Sequence, residues 1–483
     1  MSTILITHSY FLEFDPKQLK LGQPYPPLAT LYAASVVRNL GYQVEFFDTM
    51  FEKSALQIEA VIKKNCPDYL IICDDGFNYL TKMCLTNMRD AAFEMAKIGK
   101  RYGCKVIISS SDSTDHSNEY LDNSVDYIIV GEVEQTLQEL LTALELNNST
   151  ESIPGLIFTA NNKRITTSKR DVLKQLDSLP TPAWDLVDME MYKSVWLKKH
   201  NYFSLNYATT RGCPFKCNWC AKPIYGNRYN CHSPLRVVTD LKYLVDNFGA
   251  SHFWFSDDIF GLKPGWVKEF ADLIEKFNVK IKFKIQSRVD LLLEENTIKL
   301  LAKAGCDIVW VGAESGSQKI LDAMDKGTTV EQIYNATKLM KLHGIKPAFF
   351  LQFGYLGETK DDIKLTIKML DDLLPFDIGA SVSYPLPGTK FYEMVKSDLY
   401  AKSNWTDSDE LLLMFKNTYS PSFYKQLHRF IHKNYRKRQA IQSIQAAIAN
   451  PLKTDRDNIY KAFSYLYYLP TSFLEKIKLR LIK

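Results

Sequence analysis

The chain has 483 residues, 46% of them hydrophobic and 24% charged, too long for one core and too apolar for a disordered chain, so two or three folded domains are expected. Its nine cysteines are odd in number and irregularly spaced, which excludes a disulfide framework and points to reduced thiols in a cytoplasmic protein. No apolar run approaches the ~20 residues that span a bilayer, and the net charge of +5 is uneven, because residues 425–483 carry thirteen Lys and Arg against three acids and leave the remainder acidic.

The first residues, Met1 to Thr7, show no basic n-region and no small-residue cleavage site, so no signal peptide is expected. Short apolar runs follow at Ile4 to Thr7, Val44 to Phe47, Tyr69 to Cys73, Val106 to Ser109 and Tyr127 to Val130, separated by segments of helical length. Such alternation predicts a parallel sheet with helices on both faces. Pro26 and Pro27 precede Leu28, Leu31, Tyr32, Ser35 and Val36, one face of a helix that Gly41 follows. Sheets of this kind bind ligands outside the carboxyl ends of their strands, which places His8 to Tyr25, Asp74 to Tyr79 and Ser109 to Asp115 around any pocket.

The polar stretch Leu144 to Ser152 marks a boundary, Ile153 to Phe158 opens a hairpin-like connector, and Leu179 to Trp184 leads onward. Six further runs, Leu205 to Thr209, His252 to Phe255, Phe283 to Gln286, Ile308 to Val311, Ala348 to Gln352 and Ala380 to Tyr384, alternate with helical segments. They predict a partial parallel barrel whose site lies at the strands' carboxyl ends. From Trp405 to Lys483 the pattern is helical, with breaks expected at Pro421, Pro451 and Pro470 and a position capping the barrel mouth. The fold class is therefore α/β: a Rossmann-like sheet over 1–147, a linker over 148–200, a partial (β/α)6 barrel over 201–400 and a helical region over 401–483.

Directly after the first barrel strand stands Arg211-Gly212-Cys213-Pro214-Phe215-Lys216-Cys217-Asn218-Trp219-Cys220, a C-x3-C-x2-C spacing. Three thiolates hold three corners of a four-iron four-sulfur cubane and leave one iron open to a small molecule. A closed structural zinc with Cys231 as fourth ligand is the alternative. The spacing, with aromatic Trp219 before the last cysteine, resembles the signature of the radical S-adenosylmethionine (SAM) superfamily.

That resemblance implies a 4Fe-4S cluster on Cys213, Cys217 and Cys220, with SAM on the open iron, and reductive cleavage to methionine and a 5′-deoxyadenosyl radical that abstracts hydrogen from an unactivated carbon. Ser256, Asp257 and Asp258 follow the second strand, where the superfamily meets the methionyl amino group; a helix N-cap or turn is the plain reading of the same acids. Arg288, after the third strand, would clamp the SAM carboxylate, or pair with Asp290. Gly312-Ala313-Glu314-Ser315-Gly316 resembles the run whose acid contacts SAM in many members, which assigns Glu314. Thr359 to Asp362, after the fifth strand, also reads as a capping box, and Pro385 to Thr389, after the sixth, as a turn.

Gln23 to Leu31 and Gly131-Glu132-Val133-Glu134 resemble the cobalamin-binding domain that precedes many radical SAM barrels. This implies cobalamin against Tyr25, Ser109, Ser110, Gly131 and Glu132, with Ser109-Ser110 where relatives often have paired glycines. The D-x-H-x-x-G ligand motif is absent, and the loop histidines left for a lower axial ligand are His8 and His116. The implied activity is methylation of an unactivated carbon of a small-molecule substrate through methylcobalamin, served by a reductant such as flavodoxin or ferredoxin. Alternatives are an oxidative cyclisation or rearrangement of the anaerobic magnesium-protoporphyrin monomethyl ester cyclase type, whose domain order the chain resembles, and a non-catalytic cluster or cobalamin sensor. No nucleic acid is expected; Arg436-Lys437-Arg438 and Tyr465 to Tyr468 read as a solvated face, with peripheral membrane contact as the alternative.

Overall fold

The computed structural model describes residues 2–482 apart from 79, 82–84, 223, 295, 403, 450 and 452–455; Tyr79, expected beside a pocket, and the cysteine at 84 lie outside the described residues. The chain divides into two units, one of Met1–Phe215, Ala221–Ile285 and Asn404–Glu410, the other of Lys216–Cys220, Gln286–Ser403 and Leu411–Lys483.

The first unit begins with a sheet of β1 (Thr3–Thr7), β2 (Gln43–Phe47), β3 (Tyr69–Cys73), β4 (Lys105–Ser109), β5 (Tyr127–Ile129), β6 (Leu156–Ala160) and β7 (Lys163–Thr166), in the order β2-β1-β3-β4-β5-β6-β7. All five expected strands are present and pair in parallel. Their alternation decides the two cores. Ile4, Ile6, Ile71 and Ile107 pack with Val37 and Leu137 on one face, and Leu5, Leu70, Ile72 and Ile108 pack with Ile58 and Met95 on the other, as a sheet covered on both sides requires. The hairpin expected as a connector instead extends this sheet: β6 pairs antiparallel with β5 and β7 with β6, covering an edge that would otherwise be unpaired. The order reverses between β1 and β3, the switch point at which such sheets hold ligands. There Asp74 accepts from the Ser9 N–H at 2.7 Å and from its hydroxyl at 3.0 Å.

The same unit continues through β8 (Ser204–Tyr207), β9 (Thr210–Arg211), β10 (Asn230–Cys231), β11 (His252–Phe255) and the first part of β12 (Lys282–Ser287). Strands β8, β11 and β12 run parallel in that order, and β9 and β10 form a short antiparallel ladder. Phe255, Phe270 and Phe283 pack edge to face behind them, Phe255 and Phe283 with ring centres 5.1 Å apart, and Phe260 lies tilted against Phe255 and Phe283. The expected strand Leu205 to Thr209 stops at Tyr207, because the amides of Thr209 and Thr210 are taken by a side chain.

The second unit contains β13 (Cys306–Glu314), β14 (Lys346–Phe353) and β15 (Asp377–Val382), parallel in sequence order. The returning helices Val330–Leu342 and Lys360–Leu373 each start with a capping box, Thr329 with Gln332 and Thr359 with Asp362. The tail forms helices Pro421–Ala449, Arg456–Phe463 and Tyr465–Leu481. Pro470 does not break the last one: the carbonyl it leaves without a donor belongs to Leu466, which is 74% exposed and open to water.

The tail takes its expected place at the strands' carboxyl ends only in part. Helix Pro421–Ala449 runs along edge strand β15 and helix Lys360–Leu373, with the Tyr435 hydroxyl donating to the Pro375 carbonyl at 2.8 Å and Arg436 and Arg438 paired to Asp377 and Asp371. Its lead-in and first turn reach the carboxyl end of β14, where the Asn417 amide donates to the Gly354 carbonyl at 2.7 Å and the Tyr424 ring stands 3.2 Å from where a Gly354 Cβ would be. Two of the three basic residues read as a solvated face are thus spent on acids of their own unit. Among the described residues no helix is long and apolar enough to cross a membrane.

Candidate cofactor site

In the first unit, the start of the cysteine loop is held by one buried carboxylate. Asp257, after β11, accepts from the Thr209 and Thr210 amides at 2.7 and 2.8 Å and from the Thr209 hydroxyl at 2.5 Å. Burial pushes its carboxyl up to about 7 against the pull of those hydrogen bonds. Oδ1 is committed to the two backbone amides and Oδ2 to the Thr209 hydroxyl, so its place is under the loop. Ser256 is buried and donates its N–H to the Tyr207 carbonyl at 2.9 Å, while Asp258 is exposed.

Gly212, the residue before Cys213, has φ +79, and a Cβ there would lie 2.4 Å from the Arg228 carbonyl oxygen. A left-handed backbone alone costs an L-residue about 1–2 kcal/mol, and the clash with backbone adds to it. Gly212→Ala is expected to lose nearly all iron and sulfide uptake on anaerobic reconstitution while the far-ultraviolet circular dichroism stays that of the folded chain; iron content at the unmodified level would show the loop tolerates the change.

Sequence reasoning missed Arg211. It is 4% exposed and forms a buried triad: Nη1 donates to Glu132 at 2.8 Å and to Glu134 at 3.1 Å, and Nη2 to Glu134 at 2.5 Å. Its guanidinium also lies 5.5 Å from the Tyr32 and Phe77 rings and 5.4 Å from that of Tyr225. Burial opposes its charge, but Glu134, Tyr225 and Glu132 outweigh that and hold its pKa well above the ordinary value. The run Gly131-Glu132-Val133-Glu134 therefore spends both acids on the residue two before Cys213. The available signal was two acids two positions apart at a helix start and an arginine beside the glycine-cysteine pair.

In the second unit the other end of the loop is pinned by Asn218. Its side-chain amide donates to the Ala323 carbonyl at 2.8 Å, it accepts from the Tyr355 hydroxyl at 2.8 Å, and its carbonyl accepts the Phe391 N–H at 2.9 Å. Three residues expected to serve SAM gather around Lys326, a residue the sequence did not single out. Its Nζ donates to Glu314 at 2.8 Å and lies 5.9 Å from the Trp219 ring centre, and its carbonyl accepts from Arg288 Nη1 at 2.9 Å. Burial would lower the Lys326 pKa, but Glu314 and then Cys217 outweigh it and raise it. Glu314 has φ +55, and a Cβ on Gly312 would stand 2.5 Å from both the Glu314 carboxylate and Lys326 Nζ, so the ion pair needs that glycine. Arg288 also makes the plain ion pair with Asp290, at 2.9 Å.

Of the residues expected to hold cobalamin, Ser109, Gly131 and Glu132 line one small opening at the carboxyl edge of the first sheet, with Ala29, Asp74 and Gly76. Ser110 caps the following short helix through Ser113. Burial pushes the carboxyls of Asp74 and Asp75 at that edge up to about 6. Small side chains there let a bulky ligand approach the backbone, although Ile224 occupies the nearest space, 2.4 Å from where a Gly76 Cβ would be. Tyr25 stands elsewhere: its ring packs 4.9 Å from Trp254 and 5.2 Å from Trp196, and its hydroxyl meets Ser204 at 3.3 Å. His8 is bound by Asp48 and Thr49, and His116 by Glu119.

Cys213, Cys217 and Cys220 are half-buried and not in disulfides. Among the described residues no three Cys, His, Asp or Glu side chains stand together as a ready-made metal site. The donor set nonetheless suits an iron-sulfur cluster: three thiols fall within eight residues of one loop, and in the second unit Cys217 interacts with the buried Lys326. Cys231 is held in β10, its Cα opposite Thr210, and burial pushes its thiol up, toward the protonated form.

A Rossmann-like sheet ahead of parallel barrel strands, with a three-cysteine loop after the first of them, defines a class of radical SAM proteins. Residues 207–370 match the family model described as the radical SAM superfamily, so this stretch of the chain is a radical SAM domain. The chain is 28% identical over 422 residues to an uncharacterized methyltransferase of Pyrococcus horikoshii, covering 86% of this chain and 88% of that protein. It is also 28% identical over 274 residues to the anaerobic magnesium-protoporphyrin IX monomethyl ester cyclase of Rubrivivax gelatinosus, 56% of this chain and 49% of the cyclase. The cobalamin-dependent SAM radical enzyme OxsB, solved with aqua-cobalamin bound, shares the fold with a TM-score of 0.76 at 17% identity, covering 99% of this chain and 72% of OxsB.

Proposed function

We propose that the protein methylates an unactivated carbon of a small-molecule substrate, with a 4Fe-4S cluster on Cys213, Cys217 and Cys220, SAM at the cluster and cobalamin at the carboxyl edge of the first sheet. The observation that carries this reading is the cysteine loop, anchored by Asp257 at its start and Asn218 near its end, with Cys231 in a strand outside the loop. Bound there, these groups supply an electron for SAM cleavage, a deoxyadenosyl radical and a transferable methyl group.

The chain's own residues bind and orient. Lys326 and Glu314 offer an ion pair against which the amine and carboxylate of SAM can be matched. Arg288 would exchange Asp290 for that carboxylate, and Trp219 shields the loop from water. Ser109 and Gly131 would let cobalamin approach the backbone, and neither His8 nor His116 is assigned as its lower ligand. A reductant such as flavodoxin or ferredoxin completes the set of partners.

The test is anaerobic reconstitution with iron, sulfide and hydroxocobalamin, followed by visible spectra and product analysis with SAM and a reductant. Both 5′-deoxyadenosine and S-adenosylhomocysteine are expected. Absence of corrin bands after desalting would remove cobalamin, and absence of deoxyadenosine would remove the radical step. Oxidative cyclisation is the second reading, favoured by the similarity to the cyclase; deoxyadenosine without S-adenosylhomocysteine would select it.

A further inference from the structure

The barrel strands of the first unit carry a deeply set lysine with no counter-ion among the described residues. On β12, Phe283 and Ile285 are fully buried, and Phe283 packs against Phe255 and Phe270 on the helix side. Strand alternation therefore turns Lys284 to the opposite, inner face. Its register partner on β11 is Trp254, whose own partner on β8 is Asn206. Lys284 Nζ lies 5.2 Å from the ring centres of both Tyr25 and Trp254. Among the described residues it has no hydrogen bond and no ion pair, and burial alone pushes its pKa down to about 8. The residue still keeps part of its surface accessible.

A second group in the same row is also unmatched. The Asn206 amide donates to the Pro26 carbonyl at 3.0 Å, which fixes its orientation, and its Oδ1 is buried without a donor. An acceptor without a donor and a cation without an anion thus share one row of the inner face, about 10 Å apart over two strand spacings. Buried polar groups are as a rule paired. Two vacancies in one row, on the face where barrels of this kind take their substrates, point to a ligand.

We propose that the Lys284 ammonium binds an oxyanion, carboxylate or phosphate, of the small-molecule substrate, between the rings of Tyr25 and Trp254. The aromatic walls exclude water from two sides of the ammonium, so an arriving anion meets a charge less screened than any surface lysine. Cation–π contact holds the ammonium in position meanwhile. This assignment rests on the reading of the barrel as the substrate chamber, and its test is independent of SAM cleavage.

The full-length protein, labelled with ε-13C-lysine, is titrated in chloride, acetate and inorganic phosphate at equal ionic strength. The Lys284 signal is identified by its loss in Lys284→Arg, or in Lys284→Gln if the arginine variant does not fold. A saturable rise of its titration midpoint by about one pH unit or more is expected when an oxyanion arrives, and whichever of acetate and phosphate produces it names the group. A midpoint equal in all three salts would overturn the proposal and leave Lys284 a structural cation for Tyr25. Loss of the radical reading would appear separately, as missing deoxyadenosine.

Discussion

Cys213→Ala, Cys217→Ala and Cys220→Ala will each abolish the broad visible absorbance of the reconstituted cluster and with it all SAM cleavage, whereas Cys231→Ala will keep both. Each of the three thiolates holds one corner, and two cannot keep a cubane that must also leave an iron open. Cys231 differs in two respects: its backbone is tied to Thr210 in the β9-β10 ladder, and burial keeps its thiol protonated. The measurement is iron and sulfide content beside the visible spectrum of each anaerobically reconstituted variant. Loss of the cluster in Cys231→Ala would mean a four-thiolate site, which has no iron to offer SAM.

The second large effect is expected at Arg211. Arg211→Met leaves the carboxylates of Glu132 and Glu134 facing each other in a buried place, and breaking such an arrangement from one side costs about 3–5 kcal/mol. The double variant Glu132→Gln, Glu134→Gln strands the guanidinium and is expected to lose a similar amount. Combining all three changes removes every charge and should recover most of the stability, since the desolvation cost disappears with the attraction. Thermal unfolding of the four proteins decides it: additive losses would mean that the arginine and the acids act independently, against the distances of 2.5 to 3.1 Å between them.

Much of the architecture was legible because it rests on local pattern. The strands Tyr69–Cys73 and His252–Phe255 fall where their apolar runs begin and end, and Thr359 announces its helix through the acid three residues on. What failed depended on partners distant in sequence. The hairpin after Ile153 looked like a connector because nothing in its own residues records the open edge of β5 that it covers. Pro470 looked like a break because the residue that tolerates it is the exposed Leu466 four positions earlier.

The site divides the same way. The cysteine spacing is a local signal and was read directly. Asp257 was noticed for its place after a strand, but its commitment to Thr209 and Thr210 follows from the register of β8 with β11. Lys326 lies in a turn twelve residues beyond Glu314 and is defined by what surrounds it, Glu314, Trp219 and Cys217. Tyr25 was placed with cobalamin by its motif, while its ring is packed on Trp254 of a barrel strand.

The triad of Arg211 with Glu132 and Glu134 also bears on how this protein can be rebuilt. The first sheet, residues 3–166, cannot be exchanged as a cassette for another Rossmann-like sheet, because its Glu132 and Glu134 complete the wiring of a loop that begins more than forty positions after its last strand. A chimera that keeps the cysteine loop must import the acid pair with the sheet, or replace the arginine at the same stroke. Recombination points set after β7 that ignore this ionic lock would yield chains with a sound sheet and a cysteine loop that has lost its footing.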